Sequence, residues 1–167
     1  MQTMNENRKM SFGWCGALAV ALLSAAPAGA QSPAVMTAQA KLPAAPVARG
    51  KTIMVAVRLN IKHPYHVNAN PATEKFLIPT NVSIKAMSGV TAGKPLYPKG
   101  KAIKFAFFGK PLSVYENTVM VRLPLKVAAN ARPGLRQLSG VVKYQACNDK
   151  SCLMPTQTQF SAKFVVK

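Results

Sequence analysis

Two stretches alternate apolar and polar residues so regularly that they leave the chain little choice of fold. In "KTIMVAVRLN", Ile53, Val55, Val57 and Leu59 recur at period two, and in "TVMVRLPLKV" Val119, Val121, Leu123, Leu125 and Val127 do the same. Successive side chains of a strand point to opposite faces, so this spacing belongs to a half-buried strand; a helix would need apolar residues three and four apart. Pro124 falls on the other face of the second stretch, and because proline cannot donate to a ladder it predicts an edge or a bulge there.

Further strands are expected at Val82 to Ala86, Ala102 to Phe107, Leu135 to Tyr144 and Phe160 to Val166, separated by the turn-forming runs "HPYHVNANP", "MSGVTAGKP", "YPKGK" and "NARPG". No segment after residue 31 carries sustained helical spacing. Short strands with turns between them predict an all-β fold, an immunoglobulin-like β-sandwich, as a single domain over residues 50–167. Ahead of it, "QSPAVMTAQAKLPAAPVA" is rich in Ala and Pro and has no period, which predicts a flexible leader over residues 31–49.

The first thirty residues read as a signal peptide: Arg8 and Lys9 supply the basic start, Phe12 to Ala28 the apolar stretch, and "AGA" before Gln31 the small-residue cleavage site. No later run is long and apolar enough for a bilayer span, so the mature chain is expected to be exported to the periplasm and not to be an integral membrane protein. Cleavage would remove Cys15 and leave Cys147 and Cys152, an even number that can pair in an oxidising compartment.

The formal net charge is +18, a balance that ordinarily points to polyanions. Here the lysines are spread along the chain without an arginine-rich run or a basic helix, and export argues against a genomic role, so no nucleic-acid partner is expected.

The two cysteines lie in "KYQACNDKSCLMP". As a staple they close a loop of only about six residues, for which chain entropy gives roughly 2 kcal/mol, against about 4.7 for a hundred-residue loop. As an exchanging pair they sit in a polar turn after a strand, with Lys143 and Lys150 favouring thiolate and Asp149 opposing them. As a metal clip they would need His63 and His66 of "HPYH", but histidines beside a proline turn are usually surface or hydrogen-bonded residues, and the methionines are scattered as core filler is. "NVS" at Asn81 matches a glycosylation triplet to which no role is given. Local chemistry leaves staple, exchange and metal all open.

The chain from about Lys51 to Val166 also resembles a family. "YQACNDKSCLMP" is similar to the cysteine motif of the N-terminal periplasmic domain of the thiol:disulfide interchange protein DsbD, and "HPYHVNANP", "FLIPTNVSI", "LYPKG" and "GKPLSVYENTVMVRLPL" follow in that family's order. The resemblance implies an immunoglobulin-like sandwich whose cysteine pair cycles between dithiol and disulfide. It would take electrons from a thioredoxin-like domain or a membrane thiol conduit and deliver them to periplasmic disulfide proteins, with no cofactor and no metal. Carried over, Cys152 resembles the attacking cysteine and Cys147 the resolving one. "FAFFGK" resembles the cap that shields the pair, with Phe107 or Phe108 as the covering aromatic and Tyr144 and Tyr97 as supporting neighbours.

Two departures stand out. Lys104, Phe105 and Ala106 occupy the place where acidic residues precede the cap aromatics, and the turn between the cysteines is one residue shorter. Donor and acceptor are expected to be separate proteins. Two rivals accompany this reading: a non-catalytic immunoglobulin-like binding module with a permanent Cys147–Cys152 disulfide, and a periplasmic copper-handling protein using Cys, His and Met.

Overall fold

The computed structural model describes residues 34–106 and 108–167; the expected signal peptide and Phe107 lie outside the described residues. Strands account for all the regular structure described, in the order β1 (Met36–Lys41), β2 (Thr52–Ile61), β3 (His66–Asn68), β4 (Asn81–Ile84), β5 (Val90–Ala92), β6 (Lys101–Ile103), β7 (Leu112–Tyr115), β8 (Thr118–Val127), β9 (Gly134–Tyr144), β10 (Ala146–Cys147) and β11 (Thr156–Val166). They form sheets ordered β1-β2-β8-β5, β10-β3-β7-β6 and β11-β9-β4, packed as the expected immunoglobulin-like sandwich.

The alternating stretches are its centre. β2 and β8 pair antiparallel from Thr52 opposite Lys126 to Asn60 opposite Thr118, which sets Val55 across from Leu123 and Val57 across from Val121. All four are buried, and Leu138, Val142, Phe160 and Phe164 of β9 and β11 belong to the same core. Each such side chain contributes about 1.5–3 kcal/mol on leaving water. A slip of one residue would turn this whole set outward, so the apolar pattern fixes the register.

Pro124 corrects the edge expectation. β8 lies inside its sheet, between β2 and β5. Arg122 exchanges both backbone bonds with Leu96, and the Pro124 carbonyl accepts the Gly93 N–H at 2.8 Å. Residues two apart in a strand direct their amides to the same side, so the missing N–H of Pro124 faces the gap between the end of β5 at Ala92 and the Leu96 bridge. The ladder loses little there.

The leader expectation fails across most of its length. β1 pairs with β2 from Met36 opposite Ile61 to Lys41 opposite Ala56, and Val35, Met36 and Val47 are buried in the core. Val47 continues the contact, donating its N–H to Val165 at 2.8 Å and accepting that of Lys167 at 2.9 Å. The structured part therefore begins well before residue 50. Close packing also explains one glycine. A Cβ on Gly140 would lie 2.3 Å from Phe160 Cζ and 2.5 Å from the Ser83 carbonyl oxygen, so the neighbouring ring occupies the place of its side chain.

Candidate functional site

The cysteine segment is a hairpin held by its own backbone. β10 joins β3, with Ala146 opposite Val67 and Cys147 opposite His66. Beyond it the Asn148 side-chain oxygen accepts the N–H groups of Lys150 at 2.9 Å and Ser151 at 2.8 Å, an Asx turn of the kind asparagine favours. The Asn148 N–H reaches the Ser151 carbonyl at 2.9 Å and the Leu153 N–H returns to the Ala146 carbonyl at 2.8 Å. The Gln145 amide adds a bond to the Leu153 carbonyl at 3.1 Å. Cys147 and Cys152 are thereby set opposite one another, with Cα atoms 3.9 Å apart and their sulfurs bonded.

The two sulfur-bearing residues differ in access. Cys147 is 7 % exposed, whereas Cys152 is exposed beside Met154, itself 76 % exposed. Neither cysteine belongs to the main core, which stops at Ala146 and takes up Leu153 at its margin. Lys143, Asp149 and Lys150 are all at the surface.

His66 is the unexpected neighbour. It is only 4 % exposed, while His63 three residues earlier is at the surface. Its ring stacks on Phe105, with centroids 4.3 Å apart and planes 22° from parallel. Burial lowers its pKa below the ordinary imidazole value, and the negative charges of Glu116 and Asp149 only partly oppose this. Of the two places expected for the "HPYH" histidines, surface or hydrogen-bonded, His63 takes the surface and His66 is buried. Among the described residues no group of three or more His, Cys, Asp or Glu side chains is gathered to hold a metal ion.

The segment expected to run as a strand to Phe107 leaves the ladder after Ile103. It turns back instead, with the Phe108 N–H bonding the Phe105 carbonyl at 3.1 Å. Phe105 drops into a small cluster with Leu112 and Val114, which Leu77, Ile103 and Phe108 border. Phe108 meets Phe76 in a tilted pair with centroids 6.3 Å apart, and Lys110 forms an ion pair with Glu74. Phe108 and Lys110 are thus braced against the 74–77 stretch, and Phe105 is the described aromatic that reaches the neighbourhood of Cys147, through His66.

The two tyrosines have other partners. Tyr144 is buried in the main core, and its hydroxyl is held by the backbone of Met36. Tyr97 accepts the Val82 N–H at 2.8 Å and bonds the Asn70 side chain. Burial raises both phenol pKa values. Among the described interactions none links either ring to the cysteines. The arrangement thus brings Cys147, Cys152 and His66 together, and adds Phe105 above the imidazole.

The family of the thiol:disulfide interchange protein DsbD, N-terminal domain, matches residues 31–163. The chain belongs to that family. The match includes the stretch read as a leader, in keeping with the strand found there. Thiol–disulfide exchange is the chemistry of the family, and the chain carries a disulfide, Cys147–Cys152.

No curated protein sequence is significantly similar to the chain. Among solved structures it is similar to one of the complex between the DsbD N-terminal and PilB N-terminal domains from Neisseria meningitidis, with 22% identity and a TM-score of 0.43 over 65% of this chain and 73% of that one. It is also similar to AggA, a fimbrial major subunit from Escherichia coli, with 11% identity and a TM-score of 0.34 over 79% of this chain and 94% of that one. Among the described residues no helix is long and apolar enough to cross a membrane.

Proposed function

We propose that the chain is an exported, periplasmic thiol–disulfide exchange domain that takes electrons from a thioredoxin-like domain or a membrane thiol conduit and passes them to periplasmic disulfide proteins. The observation that carries the assignment of roles is the unequal access of the pair, with Cys152 exposed and Cys147 buried. A partner's disulfide meets the outer sulfur first. The Cys152 thiolate attacks it and forms a mixed disulfide, one partner sulfur leaving as a thiolate that takes a proton from solvent. Cys147 then attacks Cys152, restores the internal disulfide and frees the second partner sulfur. The electrons come from the two cysteine sulfurs, so the cycle uses neither cofactor nor metal.

The "FAFFGK" segment is the proposed shield of the pair, through Phe107 and Phe108, with Phe105 as its anchor on His66. Tyr144 and Tyr97 are the proposed supporting neighbours, at a distance from the pair.

Cysteine replacement tests the roles. Cys147→Ser is expected to accumulate a covalent adduct with a thioredoxin-like protein, and Cys152→Ser to form none and to abolish transfer. Equilibration with glutathione and thioredoxin buffers should place the pair above about −300 mV, the line below which structural disulfides usually fall. A lower potential together with no adduct would make the pair a staple and the domain a binding module.

A further inference from the structure

A sulfur buried as Cys147 is does not readily become a nucleophile. Only the thiolate attacks, and loss of water opposes its formation. The resolving step that the proposed function assigns to Cys147 therefore needs a local destination for a proton. We propose that His66 is that destination: its imidazole takes the proton from Cys147 as this sulfur turns on the mixed disulfide.

Three observations meet at this residue. His66 stands directly opposite Cys147 in the antiparallel pair of β3 and β10; directly opposed residues share a face of the sheet, with Cβ atoms about 4.5–5.5 Å apart. Both are buried, so bulk water has little part in moving the proton between them. The imidazole is also held in place, stacked at 4.3 Å on Phe105, whose own position is fixed in the cluster with Leu112 and Val114.

The charges around the ring agree with a base that is neutral at neutral pH. Burial keeps the proton off, while Glu116 just beyond β7 and Asp149 in the cysteine turn draw it on. Glu116 is itself ion-paired with Lys101 at 3.2 Å, and Lys104 beside Phe105 and Lys150 in the turn are both exposed.

The step balances. In the mixed disulfide Cys152 Sγ is bonded to the partner's sulfur. His66 accepts the proton of the Cys147 thiol, and the thiolate's electron pair makes the Cys147–Cys152 bond. The Cys152–partner bond breaks, its electron pair leaving on the partner's sulfur, and the imidazolium proton goes to that thiolate. The cysteine pair is oxidised by two electrons and the partner's disulfide is reduced by the same two.

The inference rests on the exchange reading for its biological setting, but its test does not require the physiological partner. Reduced protein mixed with dithiobis-nitrobenzoate releases one coloured thiolate when Cys152 attacks and a second when Cys147 resolves, both followed by stopped-flow absorbance. His66→Gln should slow the second release on the order of a hundredfold near neutral pH, the usual scale of general base catalysis. The deficit should close in alkali, where Cys147 ionises unaided. His63→Gln, at the exposed histidine, should leave the rate unchanged.

In the unaltered protein the pH profile of the second release should bend where the His66 imidazole titrates by NMR, a readout that holds even if the variant folds poorly. The chain has only two histidines, so the assignment is direct. A deficit of equal size at every pH, or a profile that ignores the His66 titration, would overturn the proposal. Failure of the Cys147→Ser protein to capture any thioredoxin-like protein would instead remove the exchange function and leave this local chemistry standing.

Discussion

Reducing the Cys147–Cys152 bond should cost the fold little. The bond closes a loop of about six residues, for which the chain-entropy relation gives roughly 7 cal/mol/K, or about 2 kcal/mol at 25 °C. That is a modest part of the about 5–15 kcal/mol by which domains of this kind are stable. The real loss should be no greater, because the Asn148–Ser151 and Leu153–Ala146 backbone bonds and the Asn148 side chain already close the same turn. Neither sulfur is part of the main core, so no cavity opens there.

Urea unfolding followed by tryptophan-independent far-ultraviolet circular dichroism, with and without excess reductant, measures the difference. With a slope of about 1–3 kcal/mol/M, the midpoint should fall by about 1–2 M at most, and the slope should stay the same. A reduced protein that is unfolded without denaturant, or a loss above about 4 kcal/mol, would refute the reasoning. The hairpin would then depend on its disulfide, and a pair that must open repeatedly could not be carried by it.

Other outcomes test the remaining features. Met36→Ala should cost about 2–5 kcal/mol if β1 belongs to the core, and a urea midpoint within error of the unaltered protein would return that segment to a leader. Gly140→Ala should lower the thermal midpoint by several degrees, because the added carbon meets Phe160 and the Ser83 carbonyl together; an unchanged midpoint would mean that the strand yields easily. Because folding depresses the His66 pKa, the unfolded chain binds the proton more tightly. Stability should therefore be intact above the ordinary imidazole value near 6.5 and decline as pH falls through the window below it. Urea midpoints at pH 7.5 and 5.5 should show the decline in the unaltered protein and a smaller one in His66→Gln; equal midpoints at the two pH values would contradict it.

The sandwich was legible in the sequence wherever one face of a strand is buried and the other wet. β2 and β8 are that case, and their inner residues were read correctly from period two. β3 shows the opposite: His66, Val67 and Asn68 are all buried, so there is no alternation to see, and the histidines flanking Pro64 and Tyr65 read as a turn. With β3 unseen, the register that sets His66 against Cys147 was also out of reach. β1 escaped for another reason. Its inward positions include the half-buried Ala38 and Ala40, and alanine carries little strand signal; the segment becomes a strand because β2 offers it an edge. Phe105 falls within the strand expected over Ala102 to Phe107, and only the turn after Ile103 redirects it onto the imidazole.

At Pro124 the side of β8 that faces β5 is also closed to strangers where β5 stops short. A strand from another molecule seeking to pair there would find no N–H at the proline and a carbonyl already taken by Gly93. It would also have to displace the Leu96 bridge and come close to the exposed charges of Lys94 and Lys99. Unprotected sheet margins are where β proteins polymerise, and proline and lysine are among the usual defences. The proline in the alternating pattern of β8 thus removes one place at which a strand of another molecule could pair.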